Sequence, residues 1–78
     1  MKRKQAFVHA SGKTISEIID DYIRDPVHRE MVRDWLVNNM DFSALESKYG
    51  YSLRHTKRII YRASDIVLKI YLDKTNQM

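Results

Sequence analysis

Basic side chains between residues 54 and 62 carry the most distinctive chemistry of this sequence. Arg54, Lys57, Arg58 and Arg62 supply four positive charges, and the first acid after them is Asp65. Guanidinium and ammonium groups donate hydrogen bonds to phosphate oxygens and to base edges in a DNA major groove about 12 Å wide. On a helix these residues would form a cationic face without acids. The pattern indicates contact with a polyanion; the alternative is a solvated basic helix on a protein-binding module.

The rest of the chain shows no arrangement typical of catalysis. His9, His28 and His55 lie in separate segments, and none has a second ligand three or four residues away, so no zinc site is expected. Asp20 and Asp21 are sequence neighbours, which do not face each other on a helix. There is no glycine-rich phosphate loop and no nucleophile motif. We therefore expect a protein that is not an enzyme and has no catalytic residue, cofactor or metal.

The composition indicates one small domain. A chain of 78 residues is close to the smallest size at which one core is stable, and the absence of cysteine excludes disulfides. No apolar run approaches the roughly 20 residues that span a bilayer. We expect a soluble protein without a membrane partner, located in the cytoplasm.

Charge is distributed unevenly along the chain. Residues 1–13 contain four basic residues and no acid, residues 14–46 contain eight acids and three arginines, and residues 47–78 contain seven basic residues and two acids. This distribution favours one face directed at a polyanion and another directed elsewhere, although an ordinary solvated surface would also account for it.

Two helices are predicted in the first half, after a flexible basic arm over residues 1–13. A capping box from Thr14 to Glu17 predicts a first helix over 14–24. Asp25 as N-cap and Pro26 at the first helical position predict a second helix over 26–39, with Arg29 and Arg33 solvated on its outer side. The apolar faces of the two helices comprise Ile15, Ile18, Ile19, Tyr22 and Ile23, and then Val27, Met31, Val32, Trp35 and Leu36.

Two further helices are predicted in the second half. Asp41 caps a short third helix, with a box from Ser43 to Glu46 as the competing start, and Gly50 ends it in a left-handed conformation. Ser52 caps a fourth helix over 53–72, and a polar tail follows over 73–78. The core sides contain Phe42, Leu45 and Tyr49, and then Thr56, Ile59, Ile60, Ala63, Val67 and Ile70. The fold class is an all-α, four-helix domain over 14–72, with a helix-turn-helix over 41–62.

The segment from Gly50 to Ala63 resembles the second half of the helix-turn-helix in region 4 of sigma factors and related small bacterial and phage regulators. The shared pattern runs glycine, hydrophobic residue, serine, three variable residues, then a threonine or hydrophobic position and a helix rich in hydrophobic residues. The hydrophobic positions of the preceding short helix, Phe42, Leu45 and Tyr49, match the family as well. The resemblance covers residues 41–72. This chain has Glu46 where the family prefers an alanine at the helix–helix contact. Either Ala44 makes that contact in a shifted packing, or the helices cross less closely.

The resemblance implies sequence-specific binding of double-stranded DNA by a small bacterial or phage transcription regulator. Ser52 and the first N–H groups of the helix suit a phosphate, and Leu53 would either touch a thymine methyl or lie buried under the turn. His55 is either a neutral donor to phosphate or an ordinary surface histidine. The expected DNA-binding residues are Ser52, Leu53, Arg54, His55, Lys57, Arg58, Tyr61 and Arg62.

Protein partners are also expected. A single recognition helix buries little surface, so we expect a homodimer through the apolar 63–72 end of the last helix. In the alternative, Ala6, Phe7 and Val8 cover that end and leave a monomer. A sigma-like fragment would also contact RNA polymerase through its acidic helices, and a phage-encoded inhibitor would use the basic face against an acidic protein.

Overall fold

The computed structural model describes Phe7 and residues 10–75. They form four α-helices in chain order: α1 (Gly12–Tyr22), α2 (Pro26–Leu36), α3 (Phe42–Tyr49) and α4 (Leu53–Thr75). No strand occurs within these residues. The predicted all-α, four-helix fold class is therefore confirmed. Within the same residues, no helix combines the length and apolar character needed to cross a membrane.

Helix α1 begins two residues earlier than predicted, because its N-cap is Ser11. The Ser11 hydroxyl accepts a hydrogen bond from the Thr14 backbone N–H at 3.1 Å and donates to the Thr14 hydroxyl at 2.9 Å. The predicted capping box from Thr14 to Glu17 is therefore wrong. Residues 12 and 13 of the predicted arm belong to the helix, whereas its residues 1–6, 8 and 9 lie outside the described part of the chain.

Helix α2 starts as predicted and ends three residues early. Asp25 is the N-cap, and its carboxylate accepts the N–H groups of residues 27 and 28 at 2.8 and 3.3 Å. The helix ends at Leu36, and Asn39 then adopts a positive φ of 59°. Asparagine enters the left-handed region more readily than most residues, so it reverses the chain before α3.

Helices α2 and α4 form the centre of the fold, because each of them packs against all of the other helices. The predicted core is confirmed at most positions. Of the exceptions, Tyr22 and Val27 are 47% and 39% exposed, and four are half-buried: Leu36, Phe42, Tyr49 and Ile70. The buried hydrophobic residues are Phe7, Ile15, Ile18, Ile19, Ile23, Met31, Val32, Trp35, Leu45, Ile59, Ile60, Ala63 and Val67.

The apolar end of α4 is covered largely within one chain. Val67 is fully buried, and the ring of the buried Phe7 lies 5.7 Å from that of Tyr71, centroid to centroid. Leu68 is half-buried, while Leu72 remains 46% exposed. Phe7 thus makes the contact predicted for an N-terminal arm that covers this end of α4. The exposed apolar surface from which the homodimer was predicted is therefore smaller than expected. The helix runs on to Thr75, and residues 76–78 of the predicted tail lie outside the described residues.

Two arginines of α2 connect it to α1. The Arg29 guanidinium donates to the carbonyl oxygens of Ile23 and Arg24 at 2.9 and 3.0 Å, which satisfies acceptors at the end of α1. Arg33 forms an ion pair with Asp20. The prediction that both arginines are solvated charges is therefore wrong, and both guanidinium groups are engaged within the fold.

Candidate nucleic-acid interface

The turn between α3 and α4 has the predicted geometry. An Asp41 carboxylate oxygen accepts the Ala44 N–H at 2.8 Å, so Asp41 rather than Ser43 is the N-cap of α3. Gly50 follows the helix with φ 73° and ψ 20°, the left-handed conformation that favours glycine. The Ser52 hydroxyl then accepts the His55 N–H at 3.2 Å and caps α4. The turn is thus capped on both sides as predicted, and α4 begins at Leu53.

The supporting helix α3 buries Leu45 completely. Ala44 and Glu46, the two positions considered for the close contact with α4, are both half-buried. Helix α3 packs against α4 and α2, so its position depends on both neighbours.

The link between α3 and α2 is a carboxylate cluster centred on Asp34, which the sequence analysis missed. Asp34 is 6% exposed, and its oxygens accept from Asn38 Nδ2 at 2.8 Å, Lys48 Nζ at 2.7 Å and Tyr49 Oη at 2.6 Å. Burial alone would raise the pKa of Asp34, but these donors outweigh it and hold the pKa below 3.8. The sequence feature that could have indicated this cluster is a carboxylate placed within an apolar stripe, between Val32 and Trp35.

An aromatic cluster packs against the side of α4 that faces α3, which we call the α3 flank. The Trp35 and Phe42 rings stack at 5.7 Å, and Tyr61 meets Trp35 at 6.4 Å and Phe42 at 5.9 Å in edge-to-face geometry. Lys57 Nζ lies 5.6 Å from the centroid of the Phe42 ring. Of the predicted DNA-binding residues, Lys57 and Tyr61 therefore lie on the α3 flank and are half-buried.

The outward side of α4 presents a row of exposed arginines. Arg54, Arg58 and Arg62 are four residues apart and exposed, so they follow one another along one side of the helix. Within the described residues, no carboxylate lies at ion-pair distance from any of them. We call these three residues the arginine row.

The remaining predicted site residues lie around the start of α4. Ser52 and His55 are exposed, and the His55 ring lies 4.6 Å from that of Tyr51. Leu53 is 42% exposed, so the expectation that it is buried under the turn is wrong. The eight predicted residues thus share one end of α4, six of them exposed and two on the α3 flank.

A groove with a volume of about 560 Å³ runs beside the arginine row, between the α1–α2 turn and α4. We call it the basic groove. The sequence pattern does not connect Arg24 or His28 with the site, because they lie some thirty residues before the α4 residues that line the same groove. The charged and imidazole side chains that line the groove are Arg24, Asp25, His28, His55, Arg58 and Arg62.

The basic groove brings together two of the three histidines. His28 Nε2 lies 3.8 Å from an Asp25 carboxylate oxygen, and His55 lines the same groove from α4. Within the residues that the structure describes, no group of three or more histidine, aspartate or glutamate side chains is placed to hold a metal ion.

Comparisons of the chain with family models, with curated proteins and with solved structures find no match. The likeness to sigma region 4 therefore remains a resemblance of sequence pattern.

Proposed function

We propose that this chain binds double-stranded DNA, with α4 entering the major groove. The observation that carries the proposal is the contrast between two groups of cations. Arg29, Arg33 and Lys48 are engaged by acceptors within the fold, whereas the arginine row faces outward without a carboxylate partner among the described residues. A folded surface that leaves aligned guanidinium groups unneutralised is suited to a polyanion.

The exposed residues at the start of α4 fit different parts of a duplex. Arg54 and Arg58 have the reach and the paired donors to contact guanine O6 and N7, while Arg62 and His55 suit flanking phosphates. The exposed Leu53 fits a thymine methyl group, and the helix N-terminus at Ser52 favours a phosphate. Together these contacts support sequence-specific binding, the activity of a small bacterial or phage transcription regulator.

Dimeric binding also belongs to the proposal. One recognition helix buries little surface, so two copies on adjacent half-sites would increase both affinity and specificity. Leu72, which is left exposed on the last turns of α4, marks the expected contact. The dimer stays a prediction, to be decided by sedimentation of the chain with and without duplex.

A protein contact is the second candidate function. Glu17, Asp21 and Glu30 are exposed on α1 and α2, and they favour a separate acidic surface. Such a surface fits a contact with RNA polymerase in a sigma-like protein. An inhibitor would instead bind an acidic protein through the arginine row. Preference for one duplex over random DNA distinguishes the proposed function from both.

The test begins with selection of bound oligonucleotides from a random duplex pool. We expect Arg58→Ala to weaken binding of the selected duplex by about 1–3 kcal/mol and to relax the preference at one base position. Lys57→Ala should weaken it less, because Lys57 is half-buried beside Phe42. The measurement is a fluorescence anisotropy titration with selected duplex, against random duplex as competitor.

Lys74→Ala is the matched control, because it removes one exposed positive charge from the last turn of α4. This variant should retain the base preference of the parent chain. Selection that enriches no sequence, or normal binding by both Lys57→Ala and Arg58→Ala, would contradict the assignment of the recognition face.

A further inference from the structure

We propose that the basic groove binds a backbone phosphate of the same duplex, with Arg24 as its principal ligand. The inference rests on the proposed function and extends the interface from α4 to the α1–α2 turn. Arg24 lines the groove together with Arg58 and Arg62, so arginines from two separate elements border one space. Several guanidinium groups around one space would match the charge and hydrogen-bonding geometry of a phosphodiester.

The acid of the groove does not cancel this charge. Asp25 is the one carboxylate among the described residues that line the groove. Its Oδ1 accepts the N–H groups of Val27 and His28, and its Oδ2 lies 3.8 Å from His28 Nε2. The backbone hydrogen bond from His28, with that from Val27, holds the pKa of Asp25 below 3.8 although burial opposes the shift. The hydrogen bonds of the Asp25 carboxylate are thus made with the start of α2.

The backbone that carries Arg24 is fixed, while its side chain is exposed. The Arg29 guanidinium donates to the carbonyl oxygens of Ile23 and Arg24, and the turn closes where Asp25 caps α2. A cation on a turn held in this way loses less conformational freedom on binding than one on a loose loop.

The shape of the groove also fits a sugar–phosphate chain. Its floor contains the buried side chains of Ile23, Ile59 and Ala63, and its basic residues stand around that floor. A deoxyribose would contact the apolar floor while the adjoining phosphate meets the guanidinium groups. Contacts of this kind carry no base preference, but they fix the register of a recognition helix on the duplex.

The test compares Arg24→Ala with Lys13→Ala on selected and random duplexes over a range of salt concentrations. Lys13 is also exposed, and lies near the other end of α1, about 14 Å along the axis from Tyr22. Loss of one phosphate contact should reduce the slope of log K against log salt by about 0.9, which corresponds to about fivefold weaker binding at 0.15 M salt. We expect this loss for Arg24→Ala on both duplexes, and a smaller loss for Lys13→Ala.

Circular dichroism checks that both variants are folded. The binding results then distinguish failure of this inference from failure of the proposed function. A parent chain that binds no duplex overturns the proposed function together with this inference. If Arg58→Ala weakens binding while Arg24→Ala keeps the affinity and salt slope of the parent, the inference fails and the proposed function stands. A titration with inorganic pyrophosphate separates a free anion from a duplex: loss of pyrophosphate binding in Arg24→Ala with duplex binding unchanged would overturn the inference.

Discussion

Replacing Trp35 with alanine should remove most of the stability of this domain. Trp35 is 7% exposed and contacts the rings of Phe42 and Tyr61, so it joins α2, α3 and α4. Truncation of a buried tryptophan to alanine costs about 3–5 kcal/mol through lost burial and the cavity left behind. A single core in a domain of this size rarely supplies more than about 3–5 kcal/mol of stability. Trp35→Ala should therefore be largely unfolded at temperatures where the parent is folded.

Urea denaturation followed by far-ultraviolet circular dichroism measures this effect. Tryptophan fluorescence is unsuitable, because Trp35 is the single tryptophan of the chain. Val27→Ala is the control on the same helix; Val27 is 39% exposed, so the change should stay within about 0.5 kcal/mol. A Trp35→Ala midpoint equal to that of the parent would mean that the aromatic cluster does not hold the three helices together.

The same cluster connects stability with the proposed site. Phe42 contacts Trp35 on one side and lies near Lys57 Nζ on the other. Tyr61, expected from sequence to reach DNA, is half-buried in the cluster. Loss of Trp35 should therefore disturb the α3 flank of α4 before it affects the outward arginine row.

Local signals in the sequence predicted the helices well where one residue type decides the backbone. Pro26 after Asp25, Gly50 with its positive φ, and the cap at Ser52 each act within a few residues, and each lies where expected. Two caps compete at the start of α1, where Ser11 and Thr14 are both good N-caps. The choice of Ser11 over Thr14 could not be read from the pattern alone.

Contacts between distant residues were not predictable in the same way. Arg29 and Arg33 looked like solvated charges because their acceptors lie on α1 and at its end. Arg24 and Arg58 line the same groove only once α1 and α4 have packed together. Helical periodicity tells which side of a helix is polar, but it does not tell which polar residues find partners.

Asp34 is the clearest of these long-range contacts, and its replacement should weaken the domain in a pH-dependent manner. The carboxylate accepts from Lys48 and Tyr49 of α3 and from Asn38, so Asp34→Asn removes charge from three hydrogen bonds. Hydrogen bonds to charged groups contribute about 1.5–3 kcal/mol each, without simple additivity. Lys48 is half exposed and would regain water, which lowers the net cost. We expect Asp34→Asn to lose about 2–3 kcal/mol at pH 7.

The loss of stability in acid follows from the direction in which the pKa of Asp34 is shifted. The pKa of Asp34 is lowered in the folded state, so the unfolded chain takes up a proton first as the pH falls. The stabilisation is therefore complete well above pH 3.8 and disappears as the pH falls through the lower folded pKa. The parent should approach the stability of Asp34→Asn once the pH has fallen below the lowered folded pKa, where the carboxylate is protonated in both states.

The loss of stability in alkali follows from pKa values that are raised instead of lowered. Burial and the hydrogen bond to Asp34 raise the pKa of Tyr49 from 10.0 to about 12, and the hydrogen bond to Asp34 also raises the pKa of Lys48. Stability contributed by a raised pKa is complete below the ordinary value and is lost as the pH rises through the folded value. The cluster should thus stabilise the parent most between about pH 5 and pH 9.

Urea midpoints of the parent and Asp34→Asn at pH 3, 5, 7, 9 and 11 measure the losses of stability in acid and in alkali. Asp21→Asn is the matched control, because it removes the same charge from an exposed position on α1 and should leave the shape of the profile unchanged. Parallel profiles for the parent and Asp34→Asn would show that the cluster does not hold α3 in place. If the difference closes in acid as expected, a folded Asp34→Asn that binds selected duplex more weakly at pH 7 would link the position of α3 to recognition by α4. This link is expected because Lys48 and Tyr49 immediately precede the Gly50 turn from which α4 starts.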